Sequence, residues 1–193
     1  MTGFSTVSVA RARFMTTLML VLIAVCVPPT LANDLVVGQR APPITLTTLG
    51  GNQIDTRNLV GKVVIVTFWA TWCEPCREEL PLLSHYFTLH KNDGLVVLGF
   101  SLDPPGAIER VRAVARKLDF PVGLLGDLHV PGYGRIWHLP VSFTIDRQGR
   151  LVDNGWDDDN PVWTQARLKR VVTPLLHGEG LSDARSAQDL PNR

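Results

Sequence analysis

Residues 62–70 of this chain read KVVIVTFWA, and three positions later comes Cys73-Glu74-Pro75-Cys76. A near-continuous apolar, β-branched run of that length predicts a central strand buried on both faces, because a half-exposed strand would alternate. A helix is predicted over 74–91, since Leu80, Leu83 and Phe87 follow Cys76 at offsets of four, seven and eleven and so share one face. The chain must therefore place two cysteines where a buried strand hands over to a helix N-terminus.

The rest of the pattern fits around that junction. Residues 46–55 suggest a hairpin turning at Gly50-Gly51-Asn52. Residues 95–101, LVVLGFS, read as a second buried strand. Asp103-Pro104 has the form of an N-cap with proline at the first helical position; that helix would turn Ile108, Val111, Val114, Ala115 and Leu118 inward. Val141, Phe143 and Ile145 alternate as a strand, residues 146–149 turn, and residues 150–156 return. Leu168, Val171, Val172, Leu175 and Leu176 form the core face of a last helix. Strands alternating with helices, then a hairpin and helix, argue for one α/β layer fold with a central sheet flanked by helices. Residues 178–193 are polar and aperiodic and read as a loose tail.

Residues 1–32 read as a targeting segment. Arg11 and Arg13 precede an apolar run over 14–27, Pro28-Pro29 follows, and Thr30-Leu31-Ala32 offers a small-residue cleavage site. The run is short of the roughly 20 residues that span hydrocarbon, so a cleaved signal peptide is expected ahead of an uncleaved anchor. Removing the segment takes Arg11, Arg13 and Cys26, leaving 17 basic against 18 acidic residues and Cys73 and Cys76 as the only cysteines. A domain so balanced carries no basic patch for nucleic acid, and with 45% apolar residues it can build a core.

Two cysteines in an exported chain can pair with each other. Closing so short a loop gives little chain-entropy stabilisation, so a structural staple explains the pair poorly. Chemistry explains it better. A helix N-terminus favours thiolate over thiol, and Cys76, one turn after Cys73, can reach back to it. Cys73 is then the attacking and Cys76 the resolving cysteine of a thiol–disulfide exchange, with Pro75 pre-setting the helix start. Two other readings stay open. A CxxC can be half of a metal site, although no second pair exists and the five histidines lack paired spacing. The pair can also be inert.

Residues 63–81, VVIVTFWATWCEPCREELP, resemble the active-site segment of the thioredoxin superfamily, and specifically its TlpA-like exported thiol-disulfide oxidoreductases, which include cytochrome c maturation thioredoxins. The resemblance runs from about 37 to 177 and takes in GQRAPPITLTTLGG, FSLDPPGAIERVRAVARKLDFPV and LPVSFTIDRQGRLV. It implies a thioredoxin-like fold with an added N-terminal hairpin and a central insertion. It implies no cofactor beyond the dithiol, protein disulfides or thiols as substrates, a membrane electron donor, and a periplasmic location. Contact with the membrane follows only if the N-terminal segment stays uncleaved. By the same resemblance Pro140 matches the cis-proline that faces the dithiol, and Leu139 before it would touch substrate. Glu79, three residues after Cys76, matches a glutamate that moves protons to and from the resolving cysteine. Glu74, between the cysteines, opposes thiolate formation and so suggests a reductant.

Departures narrow the match. Thr67 stands where thioredoxin itself has a buried aspartate, which transfers weight to Glu79. Val141-Ser142 follow Pro140 where cytochrome c maturation members often carry an acid. Trp69 and Trp72 are expected to pack around the dithiol, and Pro81 to bend the helix. Asp157, Asp158 and Asp159 are read as acids ahead of a helix N-terminus, and His138 as a loop residue. Two further functions share such a fold: a copper chaperone using both cysteines and a histidine such as His138, and a peroxiredoxin-like peroxidase, which would lack the adjacent resolving cysteine.

Overall fold

The computed structural model describes residues 35–159 and 161–178. The expected targeting segment, and all of the expected tail but Gly178, lie outside the described residues.

The centre is a five-stranded mixed sheet. Its strands are β3 (Val63–Trp69), β4 (Leu95–Ser101), β5 (Val122–Leu124), β8 (Val141–Ile145) and β9 (Leu151–Asn154), in the order β5-β4-β3-β8-β9. Every residue of β3 is buried, as its unbroken apolar run requires. It pairs in parallel with β4, Val63 opposite Leu95 and Trp69 opposite Ser101, and antiparallel with β8, Phe68 opposite Val141. Successive side chains alternate between faces. Val63, Ile65 and Trp69 pack with Cys76, Leu80, Leu83, Val111, Leu168 and Val172; Val64, Val66 and Phe68 pack with Leu46, Phe100, Tyr133 and Phe143.

Among the described residues, four α-helices flank the sheet: α1 (Glu74–His90), α2 (Ile108–Ala115), α3 (Gln165–Val171) and α4 (Thr173–Leu176). α1 runs on through Pro81, whose ring is exposed. The last helical segment is two helices in place of one, with Pro174 opening α4, while Leu168, Val172, Leu175 and Leu176 are buried as expected.

The early hairpin is β1 (Thr45–Thr47) with β2 (Gln53–Asp55). Its turn spans residues 48–52, with Gly51 at φ +88°. It is tied to the sheet edge, where Leu49 N–H donates to the Val122 carbonyl at 2.9 Å. A Cβ on Gly123 would stand 2.0 Å from the Thr47 carbonyl oxygen, so only glycine allows that approach. Between α2 and β8 lies a further small hairpin, β6 (His129–Val130) with β7 (Gly134–Arg135).

One local expectation needs correction and a second needs detail. Asp103 does not cap α2; a 3₁₀ turn (Pro105–Ala107) precedes that helix, and Asp103 is buried with its carboxylate turned toward Thr71. Asp157 to Asp159 do stand ahead of a helix, α3, without capping it. Thr164 is the N-cap of α3, accepting from Arg167 N–H at 3.1 Å, while Asp158 pairs with the Arg167 guanidinium and Asp157 accepts from the Asn154 amide. For Asp103 a tertiary partner outcompetes the local helix end for the carboxylate.

Candidate active site

The end of β3 and the start of α1 are one continuous device. Cys73 is the N-cap of α1 in an extended conformation, Pro75 sits in the first turn, and Cys76 N–H donates to Cys73 Sγ at 3.3 Å. The two sulfurs are joined as a disulfide, with the Cα atoms 5.3 Å apart. Cys76 is fully buried and Cys73 only slightly exposed, so attack from outside must come at Cys73. On reduction, Cys73 Sγ is left against the unpaired N–H groups of the helix start, the environment that stabilises a thiolate. Glu74 and Pro75 between the cysteines are exposed.

The loop that carries Cys73 is anchored by Asp103. Its carboxylate accepts from Thr71 N–H at 2.8 Å, from the Thr71 hydroxyl at 2.6 Å and from the Ser101 hydroxyl at 2.8 Å. Sequence reading missed this role because the Asp-Pro pair also satisfies a local capping pattern. Trp69 is buried in the same cluster as both cysteines, but Trp72 is 67% exposed, against the expectation that it packs. It follows the strand end, where alternation turns a side chain to solvent.

The Leu139–Pro140 peptide, just ahead of β8 and level with the end of β3, is cis. Pro140 is buried, and half-buried Leu139 packs against the cluster that holds the dithiol as well as against the other face's core. His138 next to it stands edge-on to Trp137 and Trp156, with ring centroids 4.4 and 5.0 Å away. Burial lowers its pKa. Among the described residues, no group of three or more His, Cys, Asp or Glu side chains is placed to hold a metal ion. A copper site of both cysteines and His138 therefore finds no such arrangement.

Glu79 is 2% exposed on the buried side of α1. One carboxylate oxygen accepts from Trp163 N–H at 2.8 Å; the other is buried with no partner. Burial raises its pKa to about 7, against the lowering effects of the Trp163 hydrogen bond and the Arg167 charge. A carboxyl poised there can take and give a proton near neutral pH. Thr67 is fully buried and accepts from the Ser142 hydroxyl at 2.9 Å, so the acid this site offers is Glu79 and none stands at position 67. Trp163 and Arg167 were not legible as site residues, because they come from a distant segment whose pattern reads only as core.

A dithiol that can close to a disulfide at a helix N-terminus can exchange electrons with other thiols and disulfides. Relatives carry the same chemistry. The chain matches the AhpC/TSA family over residues 37–153. It is 31% identical over 136 residues to the thiol-disulfide oxidoreductase ResA of Bacillus cereus, covering 70% of this chain and 79% of that protein. Among solved structures it is similar to a thiol:disulfide interchange protein of the thioredoxin family from Chlorobium tepidum, with TM-score 0.60 and 26% identity over 72% of this chain and 96% of that one. It is also similar to the thioredoxin domain of a thiol-disulfide oxidoreductase from Bacteroides vulgatus, with TM-score 0.54 and 29% identity over 62% and 88%. The chain belongs to the AhpC/TSA family and is, within the thioredoxin superfamily, a TlpA-like thiol-disulfide oxidoreductase.

Proposed function

We propose that this enzyme works as a reductant of specific protein disulfides outside the cytoplasm, in the periplasm, with the dithiol itself as the only redox carrier. The observation that carries the reading is the Cys73–Cys76 disulfide at the N-terminus of α1 with the buried Glu79 carboxyl one turn further on. The apolar segment over 14–27 supports export, and an unknown membrane donor would return electrons to the pair. A place in cytochrome c maturation is the narrower form of the same reading.

In this cycle the Cys73 thiolate attacks a substrate disulfide. A Cys73–substrate bond forms, the substrate S–S bond breaks, and the departing sulfur takes a proton from solvent. Cys76 then gives its proton to Glu79 and attacks Cys73 Sγ. The Cys73–Cys76 bond forms as the second substrate sulfur leaves, so two electrons have passed to the substrate. Pro140 and Leu139 would line the extended substrate chain, exposed Trp72 would meet it beside Cys73, and Pro75 would fix the helix start. Glu74 would keep the dithiol from becoming strongly oxidising, since its charge disfavours the Cys73 thiolate.

The reduced protein should reduce insulin disulfides, and Cys73→Ser should bring the rate down to the reagent background. A variant that keeps its rate overturns the dithiol mechanism. Thiol trapping in cells reads the direction: a mostly reduced pair is expected, and a mostly oxidised pair would make the enzyme an oxidant.

A further inference from the structure

Behind Glu79 lies a buried charge cluster with no part in the exchange described above. Arg167, on α3, is 3% exposed. Its Nη2 donates to Asp153 of β9 at 2.8 Å and lies 3.3 Å from Asp158. The guanidinium carbon stands 4.5 Å over the ring of Trp163, the residue whose backbone N–H holds Glu79. One residue thus carries the acid on its backbone and the cation on its ring. Among the described residues, Arg167 Nε and Nη1 are buried without a hydrogen-bond partner, as is Oε1 of Glu79.

Burying an arginine between two carboxylates is costly, and a purely structural cluster would use all of its donors. This one leaves two donors free and sits close enough to Glu79 for its charge to act on that carboxyl. We propose that Arg167 is a positioning residue of the dithiol site: clamped by Trp163, Asp153 and Asp158, its cation keeps the Glu79 carboxyl able to ionise when Cys76 must give up its proton. Without the cation, only the Trp163 hydrogen bond would oppose burial, and Glu79 would hold its proton to higher pH and serve Cys76 less well as an acceptor. The Trp163 backbone and Arg167 of α3 act on Glu79 directly, and Asp153 and Asp158 act on it only by partly neutralising Arg167.

The inference rests on Glu79 being the proton acceptor, and the test separates the two. The Glu79 titration is followed by carboxyl infrared absorption, together with the pH profile of insulin reduction. Arg167→Gln keeps a planar donor over Trp163 and for Asp153 but removes the charge. Its Glu79 midpoint should move up by about one unit, with the rate profile moving in step. Arg167→Lys, which keeps a cation, should restore most of the shift. Asp153→Asn, a near-isosteric change that keeps the fold testable, should move the midpoint down, because it leaves Arg167 less neutralised. If Glu79→Gln leaves the pH profile unchanged, the acceptor role of Glu79 is overturned and the inference falls with it. If Glu79→Gln flattens the profile while Arg167→Gln leaves the midpoint in place, Glu79 keeps its role and Arg167 loses the one assigned here.

Discussion

The two faces of the central sheet are built to different standards. On the face away from the dithiol, most polar groups inside the core are satisfied; His138 Nδ1, beside Trp156, is an exception. The Tyr133 hydroxyl donates to the Pro42 carbonyl at 3.0 Å and Trp156 Nε1 to the Tyr133 carbonyl at 2.9 Å. Phe68, Phe100, Tyr133, Phe143 and Trp156 interlock there through stacked and edge contacts. Among the described residues the dithiol face collects more unpartnered buried atoms: Nε1 of Trp69 and Trp163, Oε1 of Glu79, Oγ1 of Thr144, and Nε and Nη1 of Arg167. One face holds the fold and the other gives up stability to keep reactive groups dry, the division expected where function breaks packing rules.

Substitutions can break or sharpen that contrast. The largest effect on stability should come from the quiet face. Phe143→Ala removes a fully buried ring and should cost about 4 kcal/mol, lowering the thermal midpoint while the insulin-reduction rate per folded molecule stays the same. A matching loss of specific activity would show that the faces are coupled.

Glu79→Gln should act in the opposite direction on the dithiol face. The folded-state pKa lies above the unfolded one, at about 7 against 4.5. Folded protein therefore holds this proton more tightly, and stability falls as pH rises between those values. The cost is absent below the lower value and complete above the upper one, about 3 kcal/mol. Thermal unfolding above neutrality should show the variant more stable than the parent, and the gain should vanish in acid. Slower disulfide reduction should accompany it. A gain that persists unchanged in acid would show that it does not come from the Glu79 carboxyl's ionisation.

The smallest effect should come from Tyr133→Phe, which leaves one carbonyl unpaired at about 1 kcal/mol. Urea unfolding should register it with no change in the pH profile of the dithiol.

Much of this architecture was legible along the chain. The run over 62–70 and the heptad-like spacing of Leu80 and Leu83 are local periodicities, and strands and helices follow from them. Cys73 and Cys76 stand out because their spacing is local too. Asp103 misled because a cap pattern and a long-range anchor need the same residue type, and the anchor to Thr71 forms only when β4 lies beside β3. Trp72 misled because neighbours in sequence to a buried dithiol need not be buried.

The sequence alone determined the α/β layering, the central strand and the position of the dithiol at a helix start, since each depends on hydrophobic period and short-range chain geometry. Only the tertiary structure decided which groups surround that dithiol. Glu79, Trp163, Arg167 and Asp153 meet across separations of up to 88 residues of chain, between Glu79 and Arg167. Charge and burial act through space, so no periodicity in the chain records the partners that set a buried carboxyl's affinity for its proton.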